Sequence, residues 1–115
     1  MTKPLVALCL ALSIALCGAA QANPQFGADR HAAAGVACTS CHGPDMKNMI
    51  DPSIEQCQQC HDVKALVEKT AHVKPTNPHT SPHYQDQLDC VNCHLMHEEP
   101  VNFCAQCHKF DFNVK

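Results

Sequence analysis

Hydrophobic positions are distributed very unevenly along this chain. A predominantly apolar run extends from Leu5 to Leu16, preceded by Lys3 and followed by Ala20-Gln21-Ala22. A charged start, a greasy middle and an A-x-A exit predict a secretory signal peptide over residues 1–22, cleaved after Ala22. The run is shorter than a bilayer-spanning helix requires. The residues ahead of Cys9 and Cys17 also lack the small side chain expected before a lipid-modified cysteine. The mature chain, 23–115, is therefore expected to be soluble and exported, with no stable membrane insertion. Beyond the leader the apolar pattern breaks into short pieces. Residues Phe26 to Ala34 can form a short helix carrying His31. Asp51-Pro52-Ser53 starts a second, with Pro in the first turn and a Ser53/Gln56 capping box. Val63, Leu66, Val67 and Ala71 share one helical face, which predicts a helix over Asp62–His72. The stretch 74–87 holds Pro75, Pro78 and Pro82 and must be extended or turning. No convincing pair of strands appears.

These pieces cannot build much of a core. The mature segment is one small domain of 93 residues, whose aromatic residues are Phe26, Tyr84, Phe103, Phe110 and Phe112. A chain this short usually needs disulfides, metals or another filler to supplement its side chains.

The cysteines say what the filler is. Apart from Cys9 and Cys17 in the leader, they fall in four C-x-x-C-H words. These are Cys38-Thr-Ser-Cys41-His42, Cys57-Gln-Gln-Cys60-His61, Cys90-Val-Asn-Cys93-His94 and Cys104-Ala-Gln-Cys107-His108, and no cysteine is left over. Successive first cysteines are 19, 33 and 14 residues apart, so the words do not mark a structural repeat of fixed period. C-x-x-C-H is the attachment word for c-type haem. Two cysteines at i and i+3 lie on one side of a helical turn, where both sulfurs can reach the vinyl groups of one porphyrin. The next histidine then presents its imidazole to the iron. Zinc would use two words per ion but would not require a histidine after each. Disulfides have no use for the histidine, and a thioredoxin-like C-x-x-C needs a βαβ context that is absent. The expected cofactor is thus haem c, four per chain, with proximal ligands His42, His61, His94 and His108.

Each iron has a sixth position, and His31, His72, His79, His83 and His97 remain to fill four of them. Histidine on both faces is therefore expected at every haem, with one histidine spare. Met46, Met49 and Met96 are further possible ligands, although histidine suffices in number; Met96 is expected to pack against a porphyrin edge. His97 lies at i+3 from His94 and projects from nearly the same side, so the two cannot share one iron. His79 and His83 are likewise expected to serve two different irons. Such short links force neighbouring haems together. The predicted fold is small and mostly irregular, with a few short α-helices wrapped around four covalently bound haems. Two-histidine ligation with partly exposed macrocycles implies low reduction potentials.

Removing Lys3 with the leader leaves seven basic against eleven acidic residues. Nucleic acid and anionic membrane surfaces are therefore poor partners, and a positive patch on a redox protein is a better one.

The words and spare histidines resemble those of the small periplasmic tetrahaem cytochromes c. They are closer still to the N-terminal cytochrome domain of the soluble flavocytochrome c fumarate reductases. The likeness rests on "RHAAAGVACTSCH", the histidine pair before "CVNCH", "CHLMHE" and the ending "FCAQCHKFDFNVK". It implies His31, His79, His83 and His97 as distal ligands and His72 as the spare. The family pair is typically H-x-x-H, whereas this chain has His79-Thr-Ser-Pro-His83, which leaves His72 open as a replacement for one of them. Class III cytochromes, which often mix in longer Cys-Cys spacings, are a more distant likeness. The chain ends at Lys115, about where fused members continue into a flavin domain, so no flavin site is expected. The expected role is periplasmic electron transfer rather than catalysis. Electrons would come from a quinol-linked membrane donor and pass to a separate flavoprotein reductase of the fumarate reductase type. A shuttle between inner- and outer-membrane partners fits equally. The alternative is a haem-based reductase of a small oxyanion, which needs one iron with an open face.

Overall fold

Four short α-helices and two 3-10 turns, joined by loops, make up residues 25–115, which the computed structural model describes. The predicted signal peptide and its cleavage site lie outside the described residues. Helices α1 to α4 span Gly27–Ala33, Cys38–His42, Ile54–Gln58 and Val63–Lys69. The 3-10 turns are Cys90–Asn92 and Phe103–Gln106.

The local signals explain most of these boundaries. Asp29 reaches back 2.9 Å to the Phe26 amide and places negative charge in the first turn of α1, where the helix dipole favours it. Gln56 reaches back 2.8 Å to the Ser53 amide, so the expected capping residues do start α3. The Asp62 carboxylate accepts the amides of Lys64 and Ala65 and caps α4. The observed α4 is shorter than the predicted Asp62–His72 helix. The Thr70 hydroxyl bonds back to the Leu66 carbonyl at 2.6 Å, and Asn77 Nδ2 donates to the Val67 carbonyl at 2.8 Å. The Val67 carbonyl belongs to the last turn, whose acceptors lack a helical partner, whereas the Leu66 carbonyl also takes the Thr70 amide at 3.0 Å. Val63, Leu66 and Val67 are half-buried, whereas Ala71 is exposed.

The proline-rich stretch 74–87 runs without regular structure except for one tight turn. Ser81 and Gln85 exchange backbone hydrogen bonds of 3.1 and 2.8 Å, with Gln85 at φ 53°, and so place His83 in the middle of the turn.

Among the described residues, no hydrophobic side chain is buried. Gly27 is buried because α1 docks tightly on the segment around Met96. The Ala28 amide donates 2.7 Å to the Met96 carbonyl, and a Cβ on Gly27 would stand 2.7 Å from Met96 Sδ. Met96, expected against a porphyrin edge, also packs on this glycine. The polypeptide is a scaffold of short elements held at a few points, small and mostly irregular as the sequence implied.

The elements that carry the Cys-His words touch in chain order. Helix α2 contacts α3, and α3 contacts the 3-10 turn Cys90–Asn92. A half-buried bond fixes the second contact: Asp89 Oδ1 accepts the Ile54 amide at 2.7 Å, across 35 residues of sequence. Replacing Asp89 with Ala leaves that helix-start amide unpaired and should cost about 1–2 kcal/mol. Asp89→Asn keeps an acceptor and should cost less than half as much. Denaturant midpoints of the mature protein and the two variants check this ordering.

Candidate functional site

Each C-x-x-C-H word closes one helical turn. The first word is α2 itself, Cys38–His42. In the others the histidine amide donates to the carbonyl of the word's first cysteine: His61 to Cys57 at 2.9 Å, His94 to Cys90 at 2.8 Å and His108 to Cys104 at 2.8 Å. The turn sets both sulfurs on one side with the imidazole beside them. Gly43 stops α2 directly after His42 by adopting φ 81°, a left-handed conformation that glycine enters without steric cost.

None of the eight cysteines of the words is joined in a disulfide. Burial pushes the Cys57 thiol up to about 11, and Cys90 beside it adds to the rise. Burial also raises Cys104, and Cys93 beside it adds to the rise. The second word thus abuts the third, and the third abuts the fourth.

Every word histidine faces one of the remaining histidines. Ring centroids lie 6.0 Å apart for His42 and His97, and 6.0 Å for His61 and His31. They lie 6.4 Å apart for His94 and His79, and 5.8 Å for His108 and His83. Aromatic ring pairs in general have centroids about 4.5–7 Å apart, so the informative feature is the recurrence of this one spacing at all four word histidines. It is the spacing of two imidazoles on one metal atom. Metal–nitrogen bonds of about 2.0–2.1 Å on each side, plus the short distance from nitrogen to ring centre, add to roughly 6 Å. His72 is exposed and, among the described residues, pairs with no imidazole. His97 faces His42 rather than His94, and His79 and His83 face different word histidines.

Backbone and hydroxyl groups orient several of these rings. His31 Nδ1 lies 2.7 Å from the Gly27 carbonyl, His42 Nδ1 3.1 Å from that of Ile50, and His94 Nδ1 3.0 Å from that of Lys115. A carbonyl only accepts, so each ring must carry its proton on Nδ1 and keep the Nε2 lone pair for a metal. His79 Nδ1 meets the Thr70 hydroxyl instead, at 3.0 Å. Burial, and secondarily the neighbouring His94, lowers the His79 pKa and favours the neutral ring that ligation needs. The residues that supply these acceptors carry no chemical signature in the sequence. Only the positions of the histidines pointed toward them.

The residues present fit four c-type haems. Thiols occur in i, i+3 pairs on single turns, imidazoles sit in pairs with room for one metal, and little of the polypeptide is packed against itself. A tetrahedral ion would need several ligands at one point. Among the described residues, no three or more Cys, His, Asp or Glu side chains converge in that way.

Comparison with known proteins agrees with this chemistry. A family model described as cytochrome c3 matches residues 30–109. The acrylate reductase cytochrome subunit of Shewanella woodyi is 43% identical over 82 residues, covering 69% of this chain and 68% of that protein. A probable fumarate reductase of Shewanella frigidimarina is 33% identical over 105 residues, covering 89% of this chain. The chain spans only 17% of that longer relative. No solved structure matches. The match holds although the longer Cys-Cys spacings of many class III cytochromes are missing. With covalent attachment words for c-type haem along its length, the chain belongs to the cytochrome c3 family.

Proposed function

We propose that this protein transfers electrons through four c-type haems, each held between two histidines. The observation that carries the reading is the pairing of all four word histidines with a second imidazole at 5.8–6.4 Å. The thioether-forming residues are Cys38 and Cys41, Cys57 and Cys60, Cys90 and Cys93, and Cys104 and Cys107. The ligand pairs are His42 with His97, His61 with His31, His94 with His79, and His108 with His83. Bound haem supplies reversible one-electron chemistry at its iron. The chain positions the four sites in sequence order through the contacts between successive words, an arrangement suited to relaying electrons from end to end. With two imidazoles at each site, no open coordination position is left for a substrate. This disfavours the oxyanion reductase reading.

Export and cleavage after Ala22 place the mature chain in the periplasm, where covalent attachment of haem is expected. The donor is a quinol-linked membrane protein. The acceptor is a separate flavoprotein reductase, with this chain as its cytochrome subunit. Two similarities support that partner: the relatives are named for acrylate and fumarate, both carboxylates conjugated to a carbon–carbon double bond. The excess of acidic residues favours a partner with a positive docking surface.

Two experiments test the reading. Pyridine haemochrome analysis of the mature protein should give four haems per chain. Electron paramagnetic resonance of the oxidised protein should show low-spin iron only. The ring planes lie 3°, 23° and 33° from parallel in three pairs but 73° apart for His31 and His61. Nearly parallel imidazoles donate into the same iron orbital and split the levels rhombically, whereas crossed ones do not. One strongly axial signal should therefore accompany three rhombic ones, and His31→Ala should abolish the axial signal. His97→Ala should convert one of the rhombic irons to high spin, and His72→Ala should convert none. A high-spin iron in the unmodified protein would instead favour the reductase reading.

A further inference from the structure

The four ring nitrogens with Nδ1 partners are not held alike. Three point at backbone carbonyls, while His79 Nδ1 points at the Thr70 side chain, the residue that ends α4. Resting on the two-histidine reading above, we propose that Thr70 is the positioning residue for His79, fixing its tautomer and raising its donor strength toward the third iron.

Counting hydrogens carries the proposal. Thr70 Oγ1 has three close neighbours: the Leu66 carbonyl at 2.6 Å, Asn77 Oδ1 at 2.8 Å and His79 Nδ1 at 3.0 Å. Asn77 is oriented by its other contacts, since Nδ2 donates to the Val67 carbonyl and Oδ1 accepts the His79 amide at 3.0 Å. Two of the three neighbours are therefore acceptor oxygens, and the hydroxyl owns a single proton. Spending that proton on His79 would leave the hydroxyl oxygen facing two other oxygens with nothing between them. The arrangement that satisfies the group has the hydroxyl donating to an oxygen while its lone pair accepts Nδ1–H from His79. The Nε2 lone pair is then free for the iron.

Asn77 ties the loop that bears His79 to the last turn of α4 by donating to the Val67 carbonyl, and its Oδ1 accepts the His79 amide within the loop. Thr70 therefore holds the ring at one end of a bonded chain that begins in the helix. This gives the extended segment a fixed approach to the third site despite its lack of regular structure. An Nδ1–H bond to a good acceptor makes an imidazole a stronger donor to its metal, and loss of such a partner typically weakens ligation markedly. Better donation favours oxidised iron, so Thr70 should hold the potential of the third site down.

The test is redox titration of the fully loaded protein, followed by absorbance, with Thr70→Val and Thr70→Ser compared with the unmodified chain. Valine keeps the shape and deletes the acceptor; serine keeps the hydroxyl. The expected result is a shift of one of the four steps to higher potential in Thr70→Val, with Thr70→Ser shifted by less than half as much. Unchanged potentials in Thr70→Val, or equal shifts in the two variants, would overturn the proposal. His79→Ala separates this from failure of the underlying reading. A new high-spin signal in that variant affirms His79 as a ligand, whereas its absence sinks the axial assignment and the inference together.

Discussion

A gap of about 6 Å between paired imidazoles is the constraint on which the rest of this structure depends. Four such gaps are held open by elements that have little reason to adopt their positions alone. The helices are five to seven residues long, below the length at which isolated helices persist in water. Among the described residues no hydrophobic side chain is buried, so the usual driving force for collapse is missing from the polypeptide itself. On the proposed reading, flat apolar cofactors bonded to the chain at eight sulfurs supply the buried surface, and ligation from both faces fixes where the loops end.

The same constraint explains why so few tertiary contacts need to be specific. The docking of α1 on Met96 brings His31 and His97 into register. Gly27 admits the Met96 side chain while α1 carries His31 toward the second word and residue 97 follows toward the first. Asp89 performs a comparable service between the second and third words. Proximity of successive words then produces the linear order that a relay requires. Under the proposed ligation, the chain length between first cysteines, 19, 33 and 14 residues, is free to vary because no repeat packing sets the spacing.

The chemistry was more legible in the sequence than the geometry. Four C-x-x-C-H words carried the cofactor, because bonding rules demand those atoms whatever the fold, and five surplus histidines offered the proposed second ligands. The starts of α1, α3 and α4 were also readable, since Asp29, Gln56 and Asp62 act on amides only a few residues away. The partner of each distal histidine was not readable from spacing. His72, His79 and His83 lie within twelve residues, and choosing among them depends on the tight turn at Ser81–Gln85 and on the bonds of Asn77 and Thr70. Thr70 looked like the interior of a longer helix, and its hydroxyl shows its role only when His79 arrives from nine residues away. Met96 likewise suggested a cofactor contact, while the close approach that glycine permits at position 27 left no trace in periodicity.

The central claim is that covalently held haem replaces the hydrophobic core. Its most direct test is circular dichroism and thermal unfolding of the mature chain, 23–115, produced without haem attachment, beside the loaded protein. The account predicts a loaded protein that melts cooperatively and a haem-free chain with a disordered spectrum and no transition. A haem-free chain that keeps its helices and melts in one sharp step would contradict it.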